Sequence, residues 1–182
     1  IFALNLQGME GAILQMVNHG LSTGALFLVV GLLYERRHTR LLENFGGLWK
    51  VLPVMGSLAL ITILSSVGLP GLNGFVGEFT ILLGAFKSTV LGSPWFAGVA
   101  TLGVILAAVY LLHMFQKLFL GAVTHEENLK LKDVSVREIL VLAPILLLVF
   151  WIGIYPKPFF MLMAPAVEKL ATLVQTAAGF VH

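Results

Sequence analysis

The chain has 182 residues, 58% of them hydrophobic, with eleven Lys or Arg, nine Asp or Glu and a mean hydropathy of +0.97. Soluble domains carry about 25% charged residues, so a polar exterior cannot be assembled here, and apolar runs without period-two alternation exclude a membrane barrel. The lack of cysteine excludes disulfides, thiolate iron-sulfur ligation and a cysteine nucleophile, and a net charge of +2 scattered over loops forms no nucleic-acid face.

The expected fold class is an all-α integral membrane bundle of about four transmembrane helices, one discontinuous at Gly68 to Gly77, forming a single membrane domain over residues 1–182. Ile1 to Gln7 lacks the basic region and cleavage site of a signal peptide and reads as the interior start of a longer chain. Residues 8–34 hold one acid, Glu10, and make about 40 Å of helix, enough for one span. The run Glu35-Arg36-Arg37-His38-Thr39-Arg40 ends that span and reads as an interfacial anchor or subunit contact. A polar loop then continues to Lys50.

Residues 51–86 are apolar and would make about 54 Å of unbroken helix, well beyond a hydrocarbon core of roughly 30 Å. The helix must therefore be interrupted, and Gly68-Leu69-Pro70-Gly71-Leu72-Asn73-Gly74-Phe75-Val76-Gly77 is the place. Pro70 removes a backbone donor and disfavours helical geometry at Leu69, while Gly68, Gly71, Gly74 and Gly77 permit dihedrals that a helix does not use. Asn73 adds a polar side chain at the same place. Residues 96–117 give the next span, a charged loop follows through Asp133, and residues 137–155 give the last. The tail over 156–182, with Pro156, Pro158 and Pro165, reads as an interfacial or partner-packed helix.

Basic residues decide whether the broken segment crosses once or twice. A single crossing puts Arg36, Arg37, Arg40, Lys50, Lys117, Lys130, Lys132 and Arg137 on one side, against Lys87, Lys157 and Lys169 on the other. A hairpin would divide them seven to four, a weaker bias than eight to three. The positive-inside rule thus favours one discontinuous crossing, with loops 35–50 and 117–137 in the cytoplasm or its organellar equivalent.

Glu78 is the leading candidate for chemistry, an acid one turn past the break, in the first turn of the second half-helix. Burial in lipid penalises its charge, whereas the half-helix N-terminus and the free backbone donors near Asn73 favour it; a carboxyl under both influences suits a proton relay. The alternative is an acid near the interface or paired with a Lys. His19 is the second candidate, close to the middle of the first span beside Asn18, Ser22 and Thr23, which are able to line a hydrated path. Its alternative is a histidine bonded to a helix neighbour, with Gly20 and Gly24 serving close packing. His113, one turn from Lys117, reads as a snorkelling residue. Glu10 and Glu138 read as first-turn acids held by the helix dipole. Phosphate-loop, dinucleotide and H-E-x-x-H metal patterns are missing from the sequence.

Four motifs in order carry a resemblance: the stretch from Gly8 through Asn18-His19-Gly20 to Phe27, Leu33-Tyr-Glu-Arg-Arg-His-Thr-Arg, Gly46-Gly-Leu-Trp, and Gly68-Leu-Pro-Gly-Leu-Asn-Gly-Phe-Val-Gly-Glu-Phe, with a Tyr155-Pro-Lys-Pro ending. They resemble the antiporter-like membrane subunits of proton-translocating NADH-quinone oxidoreductase, respiratory complex I, and within it the M type, or chain 4. The resemblance implies the last four helices of a fourteen-helix subunit in a bacterial inner membrane, surrounded by lipid and other membrane-arm subunits. It implies that FMN, iron-sulfur clusters and quinone belong to partner subunits, with no cofactor or metal held by this chain. It assigns proton transfer to Glu78, in the family's discontinuous twelfth helix, and to His19 in the preceding one. A related alternative is the large subunit of a cation/proton antiporter or of a membrane-bound hydrogenase-type complex; Glu78 favours the M type, because lysine often holds this position in the related subunits. A third possibility is a purely structural scaffold in which Glu78 and His19 only hold helices together.

Overall fold

Helix boundaries follow local capping chemistry. The computed structural model describes residues 2–179, and its helices are α1 (Leu6–Arg37), α2 (Pro53–Val67), α3 (Asn73–Phe86), α4 (Trp95–Phe119), α5 (Val136–Ile154) and α6 (Lys157–Gly179). Asn5 starts α1 by accepting the Gly8 N–H at 2.8 Å, which satisfies one of the donors that a helix N-terminus leaves free. At the other end Arg36 and Arg37 lie in the last turn, where positive charge is favoured. Pro53 opens α2, where its missing N–H costs nothing. Ser135 and Glu138 form a reciprocal capping box at the start of α5. Residues 180–182, the end of the expected tail helix, lie outside the described residues.

The fold is an all-α bundle in which α1, α4 and α5 are long and apolar enough to cross a membrane, while α2 and α3 are shorter apolar helices. α1 runs through the middle and touches α2, α3, α5 and α6. Its C-terminal half packs on α2, and α2 on α4, around a core that includes Val29, Leu33, Leu48, Leu52, Met55, Ile63, Phe115 and Phe119. Its N-terminal half packs on α3, where Asn5 Nδ2 donates to Gly84 O at 2.7 Å and Ser88 Oγ donates to Ala3 O at 2.7 Å. Gly8 and Gly84 permit this approach, because a Cβ on Gly84 would lie 2.5 Å from the Gly8 backbone. Consequently α2 and then α3 follow one another antiparallel along the length of α1.

Loops 35–50 and 117–137 meet at one end of the bundle. Gly47 N donates to Leu120 O at 3.2 Å, Asn128 Nδ2 to Asn44 O at 3.2 Å, and Arg37 pairs with Glu127. Arg36 binds Glu138 at 2.9 Å and the carbonyls of Leu32 and Lys132. The run from Glu35 to Arg40, expected as an anchor or a contact to another subunit, thus contributes two arginines to contacts within the chain. From the same loop, the Asp133 carboxylate accepts the N–H groups of Val54 at 2.8 Å and Met55 at 3.0 Å. It caps α2, whose own N-cap residue Leu52 offers no side-chain bond.

Outward faces are strongly apolar. On α4 Leu102, Ile105, Leu106 and Val109 are exposed, and on α5 so are Leu140, Leu147 and Ile154, an arrangement suited to lipid or to other apolar helices. The tail helix α6 packs on the N-terminal part of α1 through Met9, Val167 and Ala171.

Candidate functional site

The connector between α2 and α3 is short and fully specified by its residues. Gly68 ends α2 at φ 78°, a left-handed cap that glycine adopts without penalty. Leu69-Pro70-Gly71-Leu72 then makes a β-turn closed by Leu72 N–H to Leu69 O at 3.1 Å, with Gly71 at φ 94°; proline followed by a positive-φ glycine is the preferred pair for such a corner. The turn sits on Gly153 of α5, where a Cβ would run into Gly71 O. Gly68, Pro70 and Gly71 lie in the connector, whereas Asn73, Gly74 and Gly77 already belong to α3. Their job there is packing: a Cβ on Gly74 would strike Ser65 O, and one on Gly77 would strike Gln15 Oε1.

A buried polar cluster joins three helices at this point. Asn73 accepts from Ser65 Oγ at 2.5 Å and donates to Asn18 O and Ser22 Oγ, both at 3.4 Å. Ser22 and Ser65 share a hydrogen bond of 2.6 Å. Asn18 Nδ2 donates to Asn73 O at 2.7 Å and to Gln15 Oε1 at 3.2 Å. Gln15 Nε2 in turn donates to Glu78 Oε1 at 3.4 Å. Asn18, Ser22, Ser65 and Asn73 are all buried. In a low-dielectric setting such groups are stable only when partnered.

Glu78 lies in the second turn of α3 and not in the first as expected, because the helix already begins at Asn73, and it folds back so that a Cβ on Gly68 would overlap its carboxylate. The carboxylate and His19 both line one polar cavity of about 190 Å³, together with Gln15, Ser22 and Thr23 of α1, Ser65 and Ser66 of α2, and Tyr110 of α4. At ~30 Å³ per molecule this volume holds several waters, and its lining supplies both donors and acceptors. His19 is exposed, with Nδ1 within 3.2 Å of Thr23 Oγ1 one turn along α1. The arrangement brings the two groups singled out in the sequence to one polar gap.

The other ionisable candidates lie elsewhere. Glu10 falls beyond the first turn of α1, because Asn5 starts the helix at Leu6; the first-turn reading does not hold for it. Glu138 does occupy the first turn of α5. His113 is exposed near the end of α4. Among the described residues, no cluster of three or more His, Cys, Asp or Glu is able to hold a metal ion. Gln15, Ser65, Ser66 and Tyr110 were not anticipated. Gln15 had a readable signal: it precedes Asn18, His19, Ser22 and Thr23 at the spacing that puts polar residues on one helix face. Tyr110 had none, since only packing brings α4 to the cavity.

Residues 1–107 match the family described as NADH:quinone oxidoreductase/Mrp antiporter, TM. NADH-quinone oxidoreductase subunit M of Rickettsia bellii is 39% identical over 170 residues, covering 93% of this chain and 34% of that protein. Respiratory complex I from Thermus thermophilus contains a chain of 37% identity that superposes with a TM-score of 0.84 over 95% of this chain and 35% of its own length. A chain of an archaeal membrane-bound sulfane sulfur reductase, 22% identical, shares the fold with a TM-score of 0.73 over 81% of this chain and 24% of its own. The chain spans about a third of the length of the curated relatives it matches.

Proposed function

The chain belongs to the family of NADH:quinone oxidoreductase/Mrp antiporter transmembrane subunits, and from that membership we propose that it is part of an M-type, proton-translocating membrane-arm subunit of NADH-quinone oxidoreductase. In this reading NADH oxidation and quinone reduction occur in partner subunits that hold FMN and iron-sulfur clusters, and this chain contributes half of a proton path. Glu78 takes up and releases the proton, and His19 exchanges it across the hydrated gap. The placement of both residues on one polar cavity beside the connector supports the reading.

The same reading makes α2 and α3 a single discontinuous crossing, for four crossings in all. At 15 and 14 residues each is only about 21–23 Å long, too short to span alone, and they succeed one another along α1. Loops 35–50 and 117–137 then share the cytoplasmic face of a bacterial inner membrane, in keeping with the bacterial relatives and with the basic residues concentrated there.

Glu78→Gln in the full-length subunit, within an assembled complex, is expected to lower the number of protons moved per electron. Unchanged pumping would overturn the role of Glu78. Impaired assembly with normal pumping per assembled complex would mark the residue as structural. Cation-dependent transport without NADH oxidation would instead place the chain in a cation/proton antiporter.

A further inference from the structure

The polarity of the amides beside Glu78 is not free. Asn73 O is a backbone carbonyl and only accepts, so the Asn18 atom 2.7 Å from it is the donor Nδ2. That same Nδ2 lies 3.2 Å from the Gln15 amide, whose facing atom must then be the acceptor Oε1. Gln15 Nε2 is thereby turned toward Glu78 Oε1, at 3.4 Å. A carbonyl in the first residue of α3 thus dictates, through two side-chain amides on α1, that a donor and not an acceptor faces the carboxyl.

Glycine makes the path possible. A Cβ on Gly77 would collide with Gln15 Oε1 and come within 2.9 Å of Asn18 Nδ2, so the bare face of α3 one residue before Glu78 is the slot in which both amides lie. Gln15 and Asn18 stand three residues apart on α1, the spacing that stacks side chains on one face.

We propose that Gln15, oriented by Asn18, is a positioning residue that holds the Glu78 carboxyl in the geometry required for proton transfer and links that geometry to the start of α3. The proposal rests on the reading of Glu78 as a proton carrier. Its predicted signature differs from that of a packing residue, because Gln15 acts through Glu78 alone.

The test uses the full-length subunit in the assembled complex, reconstituted in vesicles. Gln15→Leu is expected to lower protons moved per NADH oxidised without lowering the amount of assembled complex, and to cause no further loss in a Glu78→Gln background. In infrared difference spectra, the carboxyl band that disappears in Glu78→Gln is expected to move to higher frequency in Gln15→Leu, as a carbonyl does when it loses a donor. Where Gln15→Leu does not assemble, Gln15→Met, which keeps length and volume without the amide, carries the same expectation. Loss of pumping in Glu78→Gln, combined with wild-type pumping and an unmoved band in the Gln15 variant, overturns the positioning role and leaves Glu78 in place. Wild-type pumping in Glu78→Gln itself removes the underlying reading.

Discussion

Ser65 on α2 donates a hydrogen bond of 2.5 Å to Asn73 Oδ1 on α3, so the two helices that flank the connector are joined through buried side chains as well as through the chain. Because Asn73 also donates to Asn18 O and Ser22 Oγ on α1, the turn at Pro70 and Gly71 is held to the central helix at a fixed point. Glu78 stands little more than one turn further along α3, and its position follows from that anchorage.

Asn73→Ala would leave the Ser65 hydroxyl and the Asn18 carbonyl short of partners in a buried setting. An unsatisfied buried group costs about 1–3 kcal/mol, so the thermal midpoint of the purified full-length subunit or complex should fall. Ser65→Ala removes both the donor to Asn73 Oδ1 and the acceptor of the Ser22 hydroxyl, and should lower the midpoint as well. An unaltered midpoint in Asn73→Ala would show that the cluster contributes no stability.

Gly68→Ala and Gly71→Ala separate backbone strain from collision. Both positions have positive φ, 78° and 94°, which costs an L residue about 1–2 kcal/mol. Only at Gly68 would the new methyl group meet the Glu78 carboxylate; at Gly71 it meets open space. Proton pumping per assembled complex is therefore expected to fall more in Gly68→Ala than in Gly71→Ala, and equal losses would contradict the placement of Glu78 against Gly68.

Asp133→Ala removes the carboxylate that accepts the Val54 and Met55 N–H groups. Loss of a helix cap costs about 0.5–2 kcal/mol, so thermal stability should fall by that order, with Asp133→Asn retaining part of it. The effect is a long-range one, since cap and helix lie far apart in sequence, and equal stability of the wild type and both variants would refute it.

Single cysteines in a cysteine-free full-length subunit report the crossing pattern. Glu43→Cys and Glu126→Cys, both exposed on the two packed loops, should react with an impermeant thiol reagent from one side of the membrane. Val90→Cys, exposed beyond the end of α3, should react from the other. Labelling of all three from one side would require α2 and α3 to form a hairpin.

The helices were legible because charge is scarce and clustered: Glu35 to Arg40 and Lys117 to Asp133 punctuate apolar runs of the right length, and the structure closes α1 and α4 within a few residues of those marks. The pair Pro70-Gly71 gave away the connector for a local reason, a turn that this dipeptide favours. Gly74 and Gly77 misled, since a glycine that permits unusual dihedrals and a glycine that lets another helix approach look alike in sequence. Here both serve approach, to Ser65 O and to Gln15. Glu10 was misread because the cap at Asn5 was overlooked. At the candidate site, Glu78 and His19 stood out as ionisable residues in apolar runs. Gln15 was legible only as a member of the polar face it shares with Asn18 and Ser22, whereas Ser65 and Tyr110 carry no such contrast, and their roles arise from tertiary packing.

The proposed proton carriage by Glu78 is tested most directly by the number of protons moved per NADH oxidised by complexes containing the full-length Glu78→Gln subunit in sealed vesicles, normalised to assembled complex. If Glu78 carries the proton, the ratio falls below that of the wild type, and His19→Ala lowers it in the same assay. A wild-type ratio in a fully assembled Glu78→Gln complex would contradict that role.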